Sequence, residues 1–327
     1  MRRLVADAVD AALELPVAPS FTLVGPALRS RLDRWTPVEG YDLTGRVVVL
    51  TGPTSGLGLA AAETLAGAGA RLVLIGRNRA RTEAVRARLD GVAEAGHEVV
   101  VADMGNLADV RAAGEEIAAR HPRLDALIHN AGALSPSRET SPDGMESTIA
   151  SQVVGPFLLT SLLLEPLGAT SAGRVITMSS GGMYATGLRA DDLEMRATQY
   201  RGAEQYARAK RAQVTLNEMW AERVVPDEVV FHAVHPGWAD TPGVRSSLPT
   251  FRRLTGPVLR SPAQGADTMV WLAADDEPMR SSGLFWLDRR PRVLHRLPST
   301  RGTDTPERRA RLWSWVRSAA QADHLAA

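Results

Sequence analysis

The stretch Thr51-Gly52-Pro53-Thr54-Ser55-Gly56-Leu57-Gly58 follows the apolar run Arg46–Leu50 and leads straight into the alanine-rich Leu59–Ala68. A β-branched run, a glycine turn and a helix-forming segment in that order predict a strand, a tight turn and a helix. Glycines at such a turn let main-chain N–H groups and the positive end of the helix approach a pyrophosphate closely. Gly56, Gly58 and Ala61 also fit the generic G-x-G-x-x-A pattern. That pattern alone is weak, because glycine-rich turns between strands and helices are common. The surrounding chain has to decide.

Beyond the turn, short leucine- and β-branched-rich runs alternate with longer alanine- and arginine-rich stretches. The strand candidates are Arg46–Leu50, Arg71–Ile75, Glu98–Ala102, Leu124–His129, Arg174–Met178, Val229–Val234 and Gly283–Leu287. Strands apolar on both faces, separated by helical patterns, predict an α/β fold: a doubly wound parallel sheet of about seven strands with helices on both faces. One domain is expected over residues 44–290, flanked by extensions at 1–43 and 291–327. The composition of the 327 residues, 44% hydrophobic and 23% charged, is that of an ordinary globular chain. A net charge of +1 gives no reason to expect a nucleic-acid partner. The absence of cysteine excludes a disulfide framework, a thiol nucleophile and a thiolate metal site, and no metal is expected.

The first residues, Met1-Arg2-Arg3, precede a segment in which Asp7, Asp10 and Glu14 interrupt the apolar positions. That pattern predicts an amphipathic helix rather than a signal peptide. Its acidic face repels anionic lipid, so packing on the protein's own surface is favoured over peripheral membrane contact. The longest apolar run, Phe157 to Leu164, is interrupted by Thr160 and Ser161, and no transmembrane span is expected. The chain is expected in the cytoplasm, and a homo-oligomer is left open. Between Arg289 and Arg311 stand eight arginines, read as a solvated basic linker. A terminal helix around Leu312-Trp313-Ser314-Trp315-Val316 follows it.

Tyr206-Ala207-Arg208-Ala209-Lys210 spaces a tyrosine and a lysine four residues apart, which puts both on one face of a helix. A phenol of pKa about 10 needs a fixed cation beside it to exchange a proton near neutrality, and two units of lowering require about 2.7 kcal/mol. Of the chain's 38 basic residues this is the single lysine; the other 37 are arginine. A compact ammonium can do what a planar, permanently charged guanidinium does poorly, namely bond two ribose hydroxyls and pass on a proton.

With these motifs in this order the sequence resembles the short-chain dehydrogenase/reductase family, over roughly residues 44 to 290. The stretches Met178-Ser179-Ser180-Gly181-Gly182-Met183 and His235-Pro236-Gly237-Trp238-Ala239-Asp240-Thr241-Pro242-Gly243-Val244 look most like its retinol-dehydrogenase-like branch. The resemblance implies a single-domain Rossmann fold. It also implies a nicotinamide dinucleotide held by Gly52, Thr54, Ser55, Gly56, Leu57, Gly58, Arg77, Asp103, Met104, Asn130, Ala131, Gly132, Tyr206, Lys210, Pro236, Gly237 and Thr241. Taken singly, Asn130 reads equally as a sheet brace, Pro236-Gly237 as a turn and Asp103 as a helix cap. At the end of the second strand, where an NAD site needs an acid for the ribose 2′-hydroxyl, stands Gly76; Arg77 and Arg79 follow and can fork onto a 2′-phosphate. NADP(H) is the expected cofactor.

The family's catalytic set falls on Ser180, which polarises the substrate oxygen, Tyr206, which exchanges the proton, and Lys210, which tunes the tyrosine. Ser179 is the rival of Ser180. Where the family carries an active-site asparagine, aligning Gly155-Pro156-Phe157 places Gln152. In the family that residue's backbone carbonyl holds a relay water and its side chain braces a helix bend. The expected activity is hydride transfer between NADP(H) and a carbonyl or alcohol. Met183, Tyr184, Trp238, Leu248, Phe251 and Trp286 suit a lipophilic small-molecule substrate or, equally, a lid core. Two rivals stand beside this reading. One is an NADP-binding scaffold that has lost turnover, motivated by Gln152; the other is a sugar-nucleotide epimerase, disfavoured by the glycine spacing.

Overall fold

In the computed structural model, which describes residues 2–91, 95–171, 173–322 and 325, the sheet is built from β1 (Val47–Thr51), β2 (Arg71–Gly76), β3 (Glu98–Val101), β4 (Ala126–His129), β5 (Gly173–Met178), β6 (Val229–Val234), β7 (Leu284–Leu287) and β8 (Arg290–Pro291). Met1 and residues 323, 324, 326 and 327 of the expected extensions lie outside the described residues. The strand order is β3-β2-β1-β4-β5-β6-β7-β8. All neighbours are parallel except the last pair. The eighth strand exceeds the sequence expectation of about seven. Its cause is local: Asp288 and Arg289 both take left-handed φ values, 53° and 54°, and fold the chain back on β7.

Three helices precede the sheet: α1 (Arg2–Glu14), α2 (Ala18–Phe21) and α3 (Val24–Asp33). The crossovers are α4 (Gly56–Gly67), α5 (Arg79–Asp90), α6 (Leu107–Arg120), α7 (Ser147–Ile149), α8 (Gly155–Gly168) and α9 (Gly202–Arg223). After β6 come α10 (Pro242–Ser247), α11 (Pro249–Thr255) and α12 (Pro262–Ala274), and after β8 come α13 (Pro298–Arg301) and α14 (Pro306–Ala319). Alternate residues of each strand feed opposite cores. Val49, Val73, Leu127 and Val175 pack with α6, α8, α9 and α14. Val48, Leu72, Ala126 and Ile176 pack with α4, α5 and α12. This is a single-domain Rossmann-like fold, and its order reverses between β1 and β4, which puts a ligand crevice at the carboxyl edge of those strands.

Two expectations are corrected. The arginine-rich segment is not a solvated linker, because it has acids to meet: Arg290 bonds Asp7 and Asp33, Arg292 bonds Asp10, Arg296 bonds Glu14, and Arg289 bonds Asp267. The acids of α1 thus turn inward onto the chain's own arginines. The second concerns apolar length. A π turn over Ala150–Val154 joins α7 to α8, so that Ser147–Gly168 runs as one 22-residue helix holding an 18-residue window of mean hydropathy 1.5, long and apolar enough to cross a membrane. It lies in the core of this fold, with 78% of its apolar window buried.

Candidate active site

The turn after β1 is shaped by what a side chain would strike. Gly52 has φ of 67° and Gly56 of 54°, both left-handed. A Cβ on Gly58 would lie 2.1 Å from the Gly52 carbonyl oxygen and 2.4 Å from Asn130 Nδ2. The turn therefore needs its glycines for backbone conformation and for close packing. Ser55 precedes α4 in an extended conformation and its hydroxyl does not cap the helix, which leaves the first N–H groups of α4 to a ligand. Thr54 and Leu57 are half-buried beside them. From the opposite side Thr241 caps α10 through Val244 N–H, and its Cβ lies 3.3 Å from the place a Gly56 Cβ would occupy.

Around this cradle the remaining expected residues do structural work as well. Asn130 Nδ2 donates to the carbonyls of Thr51 and Gly52 at 3.1 and 3.0 Å, so it braces β1 against β4. The amides of Asn130 and Ala131 both donate to Thr51 Oγ1. Asp103 accepts from Gly105 N–H at 2.8 Å, while Met104 is buried against α8. Gly237 has φ of 73° and packs on the Arg260 guanidinium, which also donates to the Pro236 carbonyl. At the end of β2 a Cβ on Gly76 would meet Thr82 Oγ1 at 2.3 Å, so no acidic side chain fits there. Arg77 and Arg79 beyond it are exposed, and among the described residues they make no ion pair.

Ser180 and Tyr206 come together at the carboxyl edge of β5, where the Ser180 hydroxyl acts to lower the Tyr206 phenol, and Ser180 Oγ accepts from Gly182 N–H. Ser179, its rival, is buried and donates to the Lys210 carbonyl at 3.1 Å, a structural bond that points it away from the site. Lys210 Nζ lies 5.2 Å from the centroid of the Tyr206 ring and donates to the Met178 carbonyl at 2.9 Å. The electrostatics differ from the sequence expectation. Burial pushes the Tyr206 phenol up to about 12, opposed only by the Ser180 hydrogen bond, and burial pushes Lys210 down to about 7. By itself the pair is largely desolvated rather than an ammonium holding a phenolate.

Gln152 sits in the π turn, a common place for functional residues. Its Nε2 donates to the Ala133 carbonyl at 2.7 Å, and its Oε1 packs over Gly132 without a hydrogen-bond partner. Its backbone carbonyl accepts from Gln213 Nε2 at 2.6 Å. Gln213 was not among the sequence candidates, although it stands three residues after Lys210 and so shares its helix face. A cavity of about 30 Å³ lies behind this contact, between Gln152, Gln213, His129, Thr160 and Thr177. Of the side chains proposed to meet substrate, Met183, Tyr184 and Trp286 are core residues instead, since β5, β6 and β7 draw them under the sheet edge. Trp238, Leu248 and Phe251 remain at the rim, with Trp238 and Phe251 edge-to-face at 5.2 Å.

A glycine cradle at a helix start, opposite a serine–tyrosine–lysine cluster on a Rossmann sheet, defines a dinucleotide-dependent oxidoreductase, and residues 46–250 match the family model described as short chain dehydrogenase. The chain belongs to the short-chain dehydrogenase/reductase family, whose members use nicotinamide cofactors on small-molecule substrates. It is 37% identical to human Dehydrogenase/reductase SDR family member 12 over 283 residues, 86% of this chain and 88% of that one. It is 37% identical over 255 residues to a candidate daunorubicin C-13 ketoreductase, DnrU, of Streptomyces sp. (strain C5), covering 78% and 86%. To human Retinol dehydrogenase 14 it is 32% identical over 270 residues, covering 75% and 78%. A candidate short chain dehydrogenase of Escherichia coli CFT073 crystallised with NADPH superposes with a TM-score of 0.63 at 26% identity, covering 76% of this chain and 98% of that one.

Proposed function

We propose that this protein is an NADP(H)-dependent reductase or dehydrogenase that interconverts a carbonyl and an alcohol on a lipophilic small molecule. The observation that carries the reading is the meeting of Ser180, Tyr206 and Lys210 beside a glycine cradle whose second strand ends without an acid. The first N–H groups of α4 would take the pyrophosphate, and Arg77 the 2′-phosphate. Asp103 would face the adenine, Lys210 the nicotinamide ribose and Thr241 the carboxamide. The bound nicotinamide supplies the hydride or accepts it. Ser180 Oγ, beside Tyr206, holds the substrate oxygen where negative charge develops. Tyr206 gives that oxygen its proton in reduction and takes it back in oxidation. Lys210 would steady the phenolate, and the carbonyl of Gln152 is tied to the same helix through Gln213.

The rim formed by Trp238 and Phe251 supports an apolar substrate, and the similarity to a candidate daunorubicin C-13 ketoreductase points the same way. A second reading, cofactor binding without turnover, is favoured by the Gln152 carbonyl, which accepts an amide proton where the family holds a relay water. NADPH oxidation measured against a panel of bulky ketones and aldehydes, with NADPH binding titrated alongside, separates the two. Turnover supports the enzyme; micromolar binding with no turnover on any carbonyl or alcohol supports the scaffold.

A further inference from the structure

The loop that carries Ser180 is held from outside the shared fold. Gly181 N–H donates to His235 Nδ1 at 3.0 Å, tying the end of β5 to the end of β6. That bond makes Nδ1 the acceptor and leaves the proton on Nε2, which is buried with no nitrogen or oxygen partner. What stands against the His235 ring is Phe21, at 4.3 Å between centroids and 80° between planes. This edge-to-face contact packs an aromatic ring against the buried imidazole. The packing at Gly181 is equally close: a Cβ there would lie 2.8 Å from both His235 Nε2 and Phe21 Cε2. On its other side Phe21 meets Trp238 at 5.9 Å, and its carbonyl accepts from Trp238 N–H at 2.7 Å.

Phe21 is fixed there by a buried clamp. Arg260 donates to the carbonyls of Ser20, Phe21 and Thr22, and with Arg29 it shares the carboxylate of Asp288. Arg29 and Arg260 are each 1% exposed and Asp288 2%; Arg29 also pairs with Asp10 and Glu14 and donates to Ser20 Oγ, whereas Arg260 has Asp288 as its carboxylate partner beside these backbone groups. Arg260 also touches Gly237 and the Pro236 carbonyl, so the same guanidinium holds the N-terminal segment and the loop that follows β6.

We infer that the N-terminal segment Ser20–Thr22 is a working part of the substrate site: Phe21 positions the Ser180–Gly181 loop and the Trp238 wall, and so sets how bulky an apolar carbonyl compound the site accepts. Phe21 acts through its neighbours and is a positioning residue. The positional half of this inference is independent of turnover; only the substrate half rests on the proposed function.

The test uses the full chain. In Phe21→Ala, hydrogen–deuterium exchange at the amides of Gly181 and Gly182 should rise at least tenfold. Exchange in Val175–Thr177 and at the glycine turn should stay within twofold of the wild type, as should NADPH affinity. The ratio of kcat/KM for a bulky over a small ketone should shift at least fivefold. Phe21→Tyr, which keeps the ring, should restore both readouts to within twofold. Phe21→Leu stands in where the alanine variant does not fold, with the same local rise in exchange expected. Exchange at Gly181 that does not change, or that rises equally throughout β5, would overturn the inference. If the wild type reduces no carbonyl, the proposed function falls while the exchange result still decides the role of Phe21.

Discussion

Shortening Gln152 to asparagine separates the two jobs this position could perform. The substitution retracts the side-chain amide by about 1.5 Å. The 2.7 Å bond from Nε2 to the Ala133 carbonyl is then out of hydrogen-bond range. Ala133 is exposed, so water takes over its carbonyl and the lost bond costs about 1 kcal/mol. Removing a buried methylene beside the existing cavity costs about another 1 kcal/mol. A stability loss of about 2 kcal/mol lowers Tm by roughly 3 °C in a chain of this size. The backbone carbonyl, held by Gln213, does not move. If that carbonyl is what serves catalysis, turnover of NADPH with a ketone changes by less than about tenfold, or about 1.4 kcal/mol in the barrier. Thermal melts and steady-state kinetics on the same preparation give both numbers. A gain in kcat of tenfold or more on Gln152→Asn would refute this reasoning. It would mean that the glutamine side chain distorts the helix bend and that the wild type is a slowed enzyme.

Four further outcomes are expected. NADPH should bind at least tenfold more tightly than NADH, about 1.4 kcal/mol, and Arg77→Ala should remove most of that difference in paired titrations; equal affinities in the wild type would count against the 2′-phosphate role. Lys210→Arg should abolish turnover although it keeps a charge, because a guanidinium cannot reproduce the compact ammonium that bonds the Met178 carbonyl; wild-type rates would rule out a special role for the lysine. Asp288→Asn should lower stability by about 3 kcal/mol in denaturant titration, since it leaves the buried Arg260 guanidinium without its carboxylate while Arg29 keeps Asp10 and Glu14. Burial holds His129 at about 3 and His232 at about 4. The unfolded chain therefore takes up protons below its pKa of about 6.5 that the fold refuses, and stability present above that pH falls as the solution is acidified. Each histidine contributes roughly 2 kcal/mol of that loss between pH 6.5 and 5, so a urea midpoint that does not move over this interval would show that both rings accept protons in the fold.

The sheet was legible because its strands are buried on both faces: runs such as Leu72–Ile75 and Val229–Val234 carry no polar alternation to confuse with an exposed ribbon. The glycine turn was legible because backbone geometry demands specific residues there. The Tyr206–Lys210 pair was visible through helical spacing, yet its electrostatics were not, since desolvation depends on what the tertiary fold packs around the two groups. Gln213 was within reach of the same spacing argument, one turn further along α9. The arginine segment was misread because charge pairing over more than 280 residues of chain, as between Arg292 and Asp10, leaves no local signature. For the same reason Phe21 could not be connected to Ser180 by sequence alone: only the Arg29–Asp288–Arg260 clamp brings them side by side.

Turnover and NADPH affinity of Tyr206→Phe, measured together on a carbonyl that the wild type reduces, test most directly whether this cluster performs proton transfer. The phenylalanine keeps the ring beside Lys210 and removes only the hydroxyl that Ser180 influences. The expected result is NADPH affinity within about threefold of wild type, about 0.7 kcal/mol, with kcat reduced by at least about a thousandfold, about 4 kcal/mol in the barrier. A Tyr206→Phe protein that retains more than a tenth of wild-type turnover would contradict the assignment.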